Sequence, residues 1–213
     1  MASCIIVCAG GFDGFLTKPQ TGDYILAADG GYAHLQKLGI SPHGIIGDFD
    51  SLGYIPENAQ VFPVEKDDTD AMLAVKKGLE LGYGEFYLYG CLDGPRLDHT
   101  IAIFQTLQYI ASRGGVGYAI GKDYIATVLQ NGALEFSKDC AGVISVFCMG
   151  APARGVTLEN LQYPLENGRL TPDYPLGVSN HFIGKPARVS VETGSLLLLW
   201  DRENSLPRRA CVC

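Results

Sequence analysis

The sequence predicts an α/β unit over residues 1–120, a mostly parallel sheet flanked by helices, followed by an all-β unit over residues 121–213. Three observations carry this. Continuous apolar runs that end in glycine turns recur through the first half, the pattern of parallel strands buried on both faces. Stretches of helical period lie between those runs. Beyond about residue 120 the helical period stops, and short β-rich pieces alternate with Gly, Pro and Asn turns.

Cys4 to Ala9 is the first apolar run and empties into Gly10-Gly11. Tyr24 to Ala28 is the second, closed by Asp29-Gly30-Gly31, after which Tyr32 to Leu38 predicts a short helix stopped by Gly39. Gly44 to Ile46 leads into the acidic motif Gly47-Asp48-Phe49-Asp50-Ser51, and Val61 to Val64 into a second one, Lys66-Asp67-Asp68-Thr69-Asp70. Thr69 or Asp68 can cap a helix whose Met72, Val75 and Leu79 share one face, with Gly82 near its end. Glu85 to Gly90 is the next strand. The loop Asp93-Gly94-Pro95-Arg96-Leu97-Asp98-His99 then opens a helix through Ile101, Phe104, Leu107 and Ile110, ended by Gly114-Gly115. In the second unit Tyr124 to Leu129, Val143 to Phe147 and Arg188 to Val191 read as strands, Leu196 to Trp200 as the closing strand with Trp200 in the core, and the tail after Asp201 as loose.

The formal charge of −7 with no offsetting basic run argues against nucleic acid or an anionic membrane surface as the main partner. Seven cysteines, Cys4, Cys8, Cys91, Cys140, Cys148, Cys211 and Cys213, include no C-x-x-C pair and no zinc spacing, and are read as reduced thiols. Met1 to Ala9 lacks the basic region of a secretory leader, and no run reaches membrane-spanning length, so a cytoplasmic location is expected.

In an open parallel sheet, ligands bind beyond the carboxyl ends of the strands, where Asp29-Gly30-Gly31, Asp48 to Ser51 and Asp93 to Asp98 would all emerge. Two ionised carboxylates about 5 Å apart repel by roughly 3 kcal/mol at an effective dielectric near 20, so a fold that gathers several calls for a cation, a proton or solvent between them. Magnesium carrying polyphosphate is the natural counterpart. Asp48 and Asp50, one residue apart, share a face if the segment is extended, and Asp70 at a helix start completes the expected metal set. A single Asp beside Gly or Ser more often caps a helix or solvates a turn; the recurrence over several loops favours the metal reading. Arg96 and Asp98 at a helix start suit phosphate binding and orientation of a substrate group, against the alternative of a local salt bridge. His99 reads as a packed residue, not a proton carrier. The glycine pairs match neither G-x-G-x-x-G nor a P-loop. Ser179, Asn180 and Phe182, in Gly177-Val178-Ser179-Asn180-His181-Phe182, offer hydrogen bonds and a ring to a flat heterocycle, the alternative being a turn with Phe182 in the core.

Ala28-Asp29-Gly30-Gly31, Gly47-Asp48-Phe49-Asp50-Ser51, Lys66-Asp67-Asp68-Thr69-Asp70, Arg96-Leu97-Asp98-His99 and Val178-Ser179-Asn180, in this order, resemble the thiamine pyrophosphokinase family over most of the chain. Cys91-Leu92-Asp93-Gly94-Pro95 departs from the Gly-Gly pair that relatives more often carry before R-x-D. The resemblance implies an α/β catalytic domain followed by a β-sandwich, with pyrophosphoryl transfer from ATP to the hydroxyl of thiamine, giving thiamine diphosphate and AMP. It implies Mg2+ held by Asp48, Asp50 and Asp70, the nucleotide and reaction site lined by Asp29, Gly30, Gly31, Arg96 and Asp98, and Ser179 and Asn180 on thiamine. It also implies a homodimer with thiamine near the subunit interface, where Phe182 can reach a neighbour's site. A metal-dependent nucleotide phosphohydrolase and a non-catalytic nucleotide- or thiamine-binding module are the alternatives.

Overall fold

A computed structural model describes every residue except Met1, Ser51, Val64, Lys66, Val212 and Cys213. Ser51 and Lys66 of the acidic motifs, the end of the strand expected at Val64, and the thiol of Cys213 therefore lie outside the described residues. The chain divides into two units, Met1–Lys122 and Asp123–Cys213.

In the first unit, β1 (Cys4–Val7), β2 (Tyr24–Ala28), β3 (Gly44–Gly47), β4 (Gln60–Val61), β5 (Glu85–Tyr89) and β6 (Val116–Ile120) pair with one another in parallel, in the spatial order β6-β5-β1-β2-β3-β4. Cys4, Ile6, Val7, Phe86 and Leu88 of the central strands are fully buried, as the apolar runs require. The chain runs outward from β1 to β4 and returns to the other side of β1 as β5, so the strand order reverses between β1 and β5. Such a reversal opens a crevice at the carboxyl ends of the two strands. The strand expected over 61–64 is shorter and earlier than the sequence reading: β4 is two exposed residues, and Pro63, which lacks a backbone N–H, follows it closely.

Helices α1 (Gly31–Lys37), α2 (Asp70–Glu80) and α3 (Leu97–Ala111) fill the connections after β2, β4 and β5. Thr69 is the N-cap of α2, its Oγ accepting from Met72 N at 3.2 Å. The buried face of α2 is Ala71, Ala74, Val75 and Gly78; of the expected Met72, Val75 and Leu79 stripe only Val75 is buried, the other two being half-buried. Small side chains there let the helix lie close on the sheet: a Cβ on Gly78 would stand 2.5 Å from Phe86 and 2.8 Å from the Cys4 sulfur. In α3 the core positions are Ile103, Thr106, Leu107, Ile110 and Ala111, whereas Ile101, expected on the apolar face, is 52% exposed. No helix among the described residues is long and apolar enough to cross a membrane.

The second unit pairs only antiparallel: β10 (Gly177–His181), β8 (Val143–Glu159), β11 (Ala187–Asp201) and β7 (Tyr124–Phe136) in that order, with β9 (Leu165–Leu170) on β8 and β12 (Arg208–Ala210) on β7. Three strands run far beyond the short pieces read from the sequence. Turn-type residues inside them make kinks without ending the strands: the β11–β7 register shifts between Val191 and Ser195, where Gly194 N donates to Asn131 Oδ1 at 2.9 Å. Trp200 is buried and meets Phe136 edge-on at 5.5 Å, as a core residue should. The tail expected to be loose is docked. Besides β12, the Asn204 side chain bonds the backbone N and O of Ala141 at 2.8 and 2.9 Å, and Arg188 Nη2 donates to Cys211 O at 2.7 Å.

Gly31 gives a direct test of helix seating. A Cβ there would collide with the Val7 carbonyl. Gly31→Ala should therefore lower stability by about 1–3 kcal/mol in urea unfolding although Ala is the better helix former; equal or higher stability would show that α1 does not sit this tightly on β1.

Candidate active site

Beyond the carboxyl ends of the first unit's strands lies a cavity of about 670 Å³. Cys8 and Gly10 enter it from the end of β1, Asp29 from β2, Asp48 and Asp50 from β3, and Gly90 and Cys91 from β5. Asp70 and Asp68 reach it at the start of α2, and Arg96 and His99 at the start of α3. Its position is the crevice created by the reversal of strand order. Gly10 makes the two central exits converge: its N donates to Gly90 O at 2.8 Å, and a Cβ on Gly10 would come within 2.7 Å of that oxygen.

Oxygens of Asp29, Asp48 and Asp50 all lie within 4.8 Å of one another, the first two half-buried and the third exposed. The local chain geometry explains the grouping. Asp29 carries a positive φ of 49°, and its N bonds Ile46 O at 2.8 Å, which extends the β2–β3 ladder by one residue. Gly47 allows the approach, since a Cβ there would sit 3.0 Å from the Asp29 Cα. Phe49, at φ 61° with its ring buried, bends the motif between Asp48 and Asp50, and Asp50 N lies 3.3 Å from Asp48 Oδ1. The segment is thus not extended, the condition under which alternate residues would share a face, but a left-handed turn anchored by Phe49. Each carboxylate pair at this separation repels by about 3 kcal/mol at an effective dielectric near 20. A hard, all-oxygen donor set of this kind fits a divalent cation such as Mg2+.

The structure places the remaining candidates as follows. Asp70 lines the same cavity but stands outside the group of three, and Asp29, read from the sequence as nucleotide-lining, takes that place. Thr69 caps α2, while both oxygens of Asp68 are gripped by Lys76 Nζ at 2.8 and 2.6 Å, so Asp68 is an ion-pair partner and not the cap. Arg96 Nη2 meets Asp98 Oδ2 at 2.6 Å, with both side chains about two-thirds exposed. The Arg96 guanidinium holds the Asp98 carboxyl below its ordinary range, and Asp98 does not line the cavity. Gly30 and Gly31 begin α1 and are outside the lining as well; Gly31 serves helix seating.

In the second unit Ser179 is exposed at φ 56°, with its N donating to Ser145 Oγ at 3.0 Å. Asn180 is buried, and its amide is engaged with backbone: Oδ1 accepts from Tyr163 N and His181 N, both at 2.9 Å, and Nδ2 donates to Tyr163 O at 2.7 Å. Phe182 is 8% exposed and packs on Phe136 at 5.2 Å, the core placement that was the alternative reading. Sequence reasoning passed over Cys8 and Cys91 as cavity walls; their only signal is position, Cys8 near the end of the first apolar run and Cys91 directly after the strand Glu85 to Gly90. Burial pushes the Cys8 thiol from its ordinary 9.0 up to about 12, with Asp70 and Asp29 adding to the rise, and burial pushes Cys91 up as well.

A parallel α/β sheet with carboxylates gathered at its switch point, followed by an antiparallel β unit, defines a class of two-unit proteins suited to metal–polyphosphate chemistry. Within that class the chain belongs to the thiamin pyrophosphokinase family: residues 18–115 match its catalytic domain and residues 133–198 its vitamin B1 binding domain. Thiamine pyrophosphokinase of Bacillus subtilis (strain 168) is 28% identical over 183 residues, spanning 82% of this chain and 85% of that protein. The crystal structure of a Bacillus subtilis thiamine pyrophosphokinase superposes with a TM-score of 0.80 at 25% identity, covering 99% of this chain and 100% of that one. Thiamin pyrophosphokinase from Candida albicans, at 16% identity and a TM-score of 0.71 over 94% of this chain and 88% of that one, shares the fold.

Thr69→Ala removes the cap and should cost about 0.5–2 kcal/mol in thermal or urea unfolding; no loss would mean that the Thr69 hydroxyl does not carry the start of α2. Cys4, like Cys8, is pushed up to about 12 by burial. Between pH 9 and 12 the unfolded thiols ionise while the folded ones keep their protons, so their stabilising contribution, full below pH 9, is lost as pH rises. Iodoacetamide at pH 8, read by mass spectrometry, should label exposed Cys211 and spare Cys4, Cys8 and Cys91 until urea is added; equal labelling in the native protein would contradict their burial.

Proposed function

We propose that this protein transfers the pyrophosphoryl group of ATP to the hydroxyl of thiamine, releasing AMP and thiamine diphosphate. The observation that carries the reading is the convergence of Asp29, Asp48 and Asp50 on one cavity at the switch point, in a chain that belongs to the thiamin pyrophosphokinase family. Asp29, Asp48 and Asp50, with Asp70 on the adjoining wall, would hold Mg2+ on the triphosphate. Bound there, the ion would neutralise phosphate charge, the main need of a transfer that uses no covalent protein intermediate. Arg96 offers its guanidinium to phosphate oxygens at the cavity wall, and Asp98, paired with it, orients that guanidinium in place of a substrate group. Gly30 and Gly31 act through the placement of Asp29.

In this reading the domain of residues 1–120 carries the nucleotide and metal, and that of residues 121–213 is a β-sandwich that binds thiamine. Ser179 is the thiamine contact. Asn180 fixes the backbone on which Ser179 is presented, and Phe182 supports it from the core. A cytoplasmic homodimer with thiamine near the subunit interface completes the proposal.

Incubation with ATP, Mg2+ and thiamine should yield AMP and thiamine diphosphate in equal amounts by chromatography, and chelation of the metal should stop the reaction. Release of inorganic phosphate without thiamine would favour a phosphohydrolase and contradict the proposal. Asp50→Asn should lower turnover by about 10²-fold or more with an unchanged circular dichroism spectrum; full activity would remove Asp50 from the site.

A further inference from the structure

A second cavity of the first unit, about 450 Å³, shares no lining residue with the carboxylate cavity. It lies on the other face of the sheet. Ile5, Tyr87 and Tyr89 line it, whereas their neighbours Cys4 and Phe86 meet Gly78 of α2, and successive strand residues point to opposite faces. Its volume falls in the range of small-molecule sites.

The walls are held rigidly. The loop between β1 and β2 is tied down at Asp23, whose Oδ1 accepts from Ser3 N and Oγ at 2.9 and 2.8 Å and whose Oδ2 accepts from Gln20 N at 2.8 Å. Tyr87 stacks on Tyr118 with ring centres 5.7 Å apart, and Tyr89 is braced edge-on by Phe12 and Phe15 at 5.9 and 5.1 Å. Tyr87 donates its hydroxyl to Glu85 Oε1 at 2.6 Å. Burial, with the Glu85 carboxylate behind it, pushes the Tyr87 phenol well above its ordinary range, so it stays a donor.

Glu85 is half-buried and forms no ion pair with a described residue, although Lys18 also lines the cavity. A carboxylate beside fixed aromatic rings, without its own cation, is complementary to a flat positive group that can pair with the acid and lie against the rings. We propose that this cavity is a second ligand site, for a small planar organic cation, an amidinium or protonated amino-heterocycle, bound through Glu85 and Tyr87, with buried Tyr89 backing the wall. The proposal stands apart from the pyrophosphoryl-transfer reading.

Benzamidine, titrated calorimetrically into the full-length protein, tests it, with neutral benzamide and anionic benzoate as probes of the same shape. Benzamidine should bind, and both the change to benzamide and the variant Glu85→Gln should weaken binding roughly ten-fold or more. Asp50→Asn, in the other cavity, should leave benzamidine binding as it is. The site is refuted by no binding of benzamidine, by binding indifferent to Glu85→Gln, by binding lost in Asp50→Asn, or by a preference for benzoate through Lys18. If Glu85→Gln does not fold, Tyr87→Leu and the comparison of probes on the unaltered protein decide the same question.

Discussion

Three carboxylates held within 4.8 Å of one another repel, and the first unit is built to keep them together against that repulsion. The restraint is apolar. Strands β1, β2, β3 and β5 are buried nearly throughout, so the ends from which Asp29 and Asp48 emerge are fixed by the packing of the sheet. Phe49 adds a local anchor: with its ring in the core and its backbone left-handed, the acids on either side of it are turned toward the cavity they line. Gly47 and Gly10 remove the side chains that would keep neighbouring strand ends apart. An electrostatically unfavourable cluster held by hydrophobic burial fits a divalent cation.

The second unit uses the same division of labour. Its central strand β11 pairs along most of its length with β7 on one side and β8 on the other, and Trp200, Phe136 and Phe182 form an aromatic core beneath. On that base Asn180 spends its amide on the backbone of Tyr163 and His181, which leaves the neighbouring Ser179 exposed in a strained, positive-φ conformation. Strain at an exposed polar residue that its neighbours over-determine is the pattern found at ligand contacts.

Much of the fold was legible in the sequence because its signals are local. Apolar runs closed by Asp-Gly-Gly or Gly-Gly located β1 and β2, and the capping chemistry of Thr69 located the start of α2. Signals that depend on partners were not legible. Small residues such as Ala71, Ala74 and Gly78 form the buried face of α2 because the sheet lies close, which a hydrophobic stripe centred on Met72 and Leu79 does not reveal. The strand pieces read from the sequence stop at Leu129, Phe147 and Val191, whereas β7, β8 and β11 run on through Asn131, Gly155 and Gly194, where the chain bends but the pairing resumes. The tail after Asp201 looked loose because its order rests on Asn204 and on β12, whose partners lie more than sixty residues earlier. For the site, the residue types and the cavity were foreseen, but the exchange of Asp29 for Asp70 in the tightest group depends on how β2 and β3 approach, which no spacing along one segment encodes.

The central claim is that Asp29, Asp48 and Asp50 act together as one divalent-cation site. Titration of Mn2+ in the presence of ATP, followed by electron paramagnetic resonance, measures it on the protein and on Asp29→Asn and Asp48→Asn. The account predicts protein-dependent Mn2+ binding that either substitution weakens by about ten-fold or more. Mn2+ binding that is unchanged in both variants would contradict it.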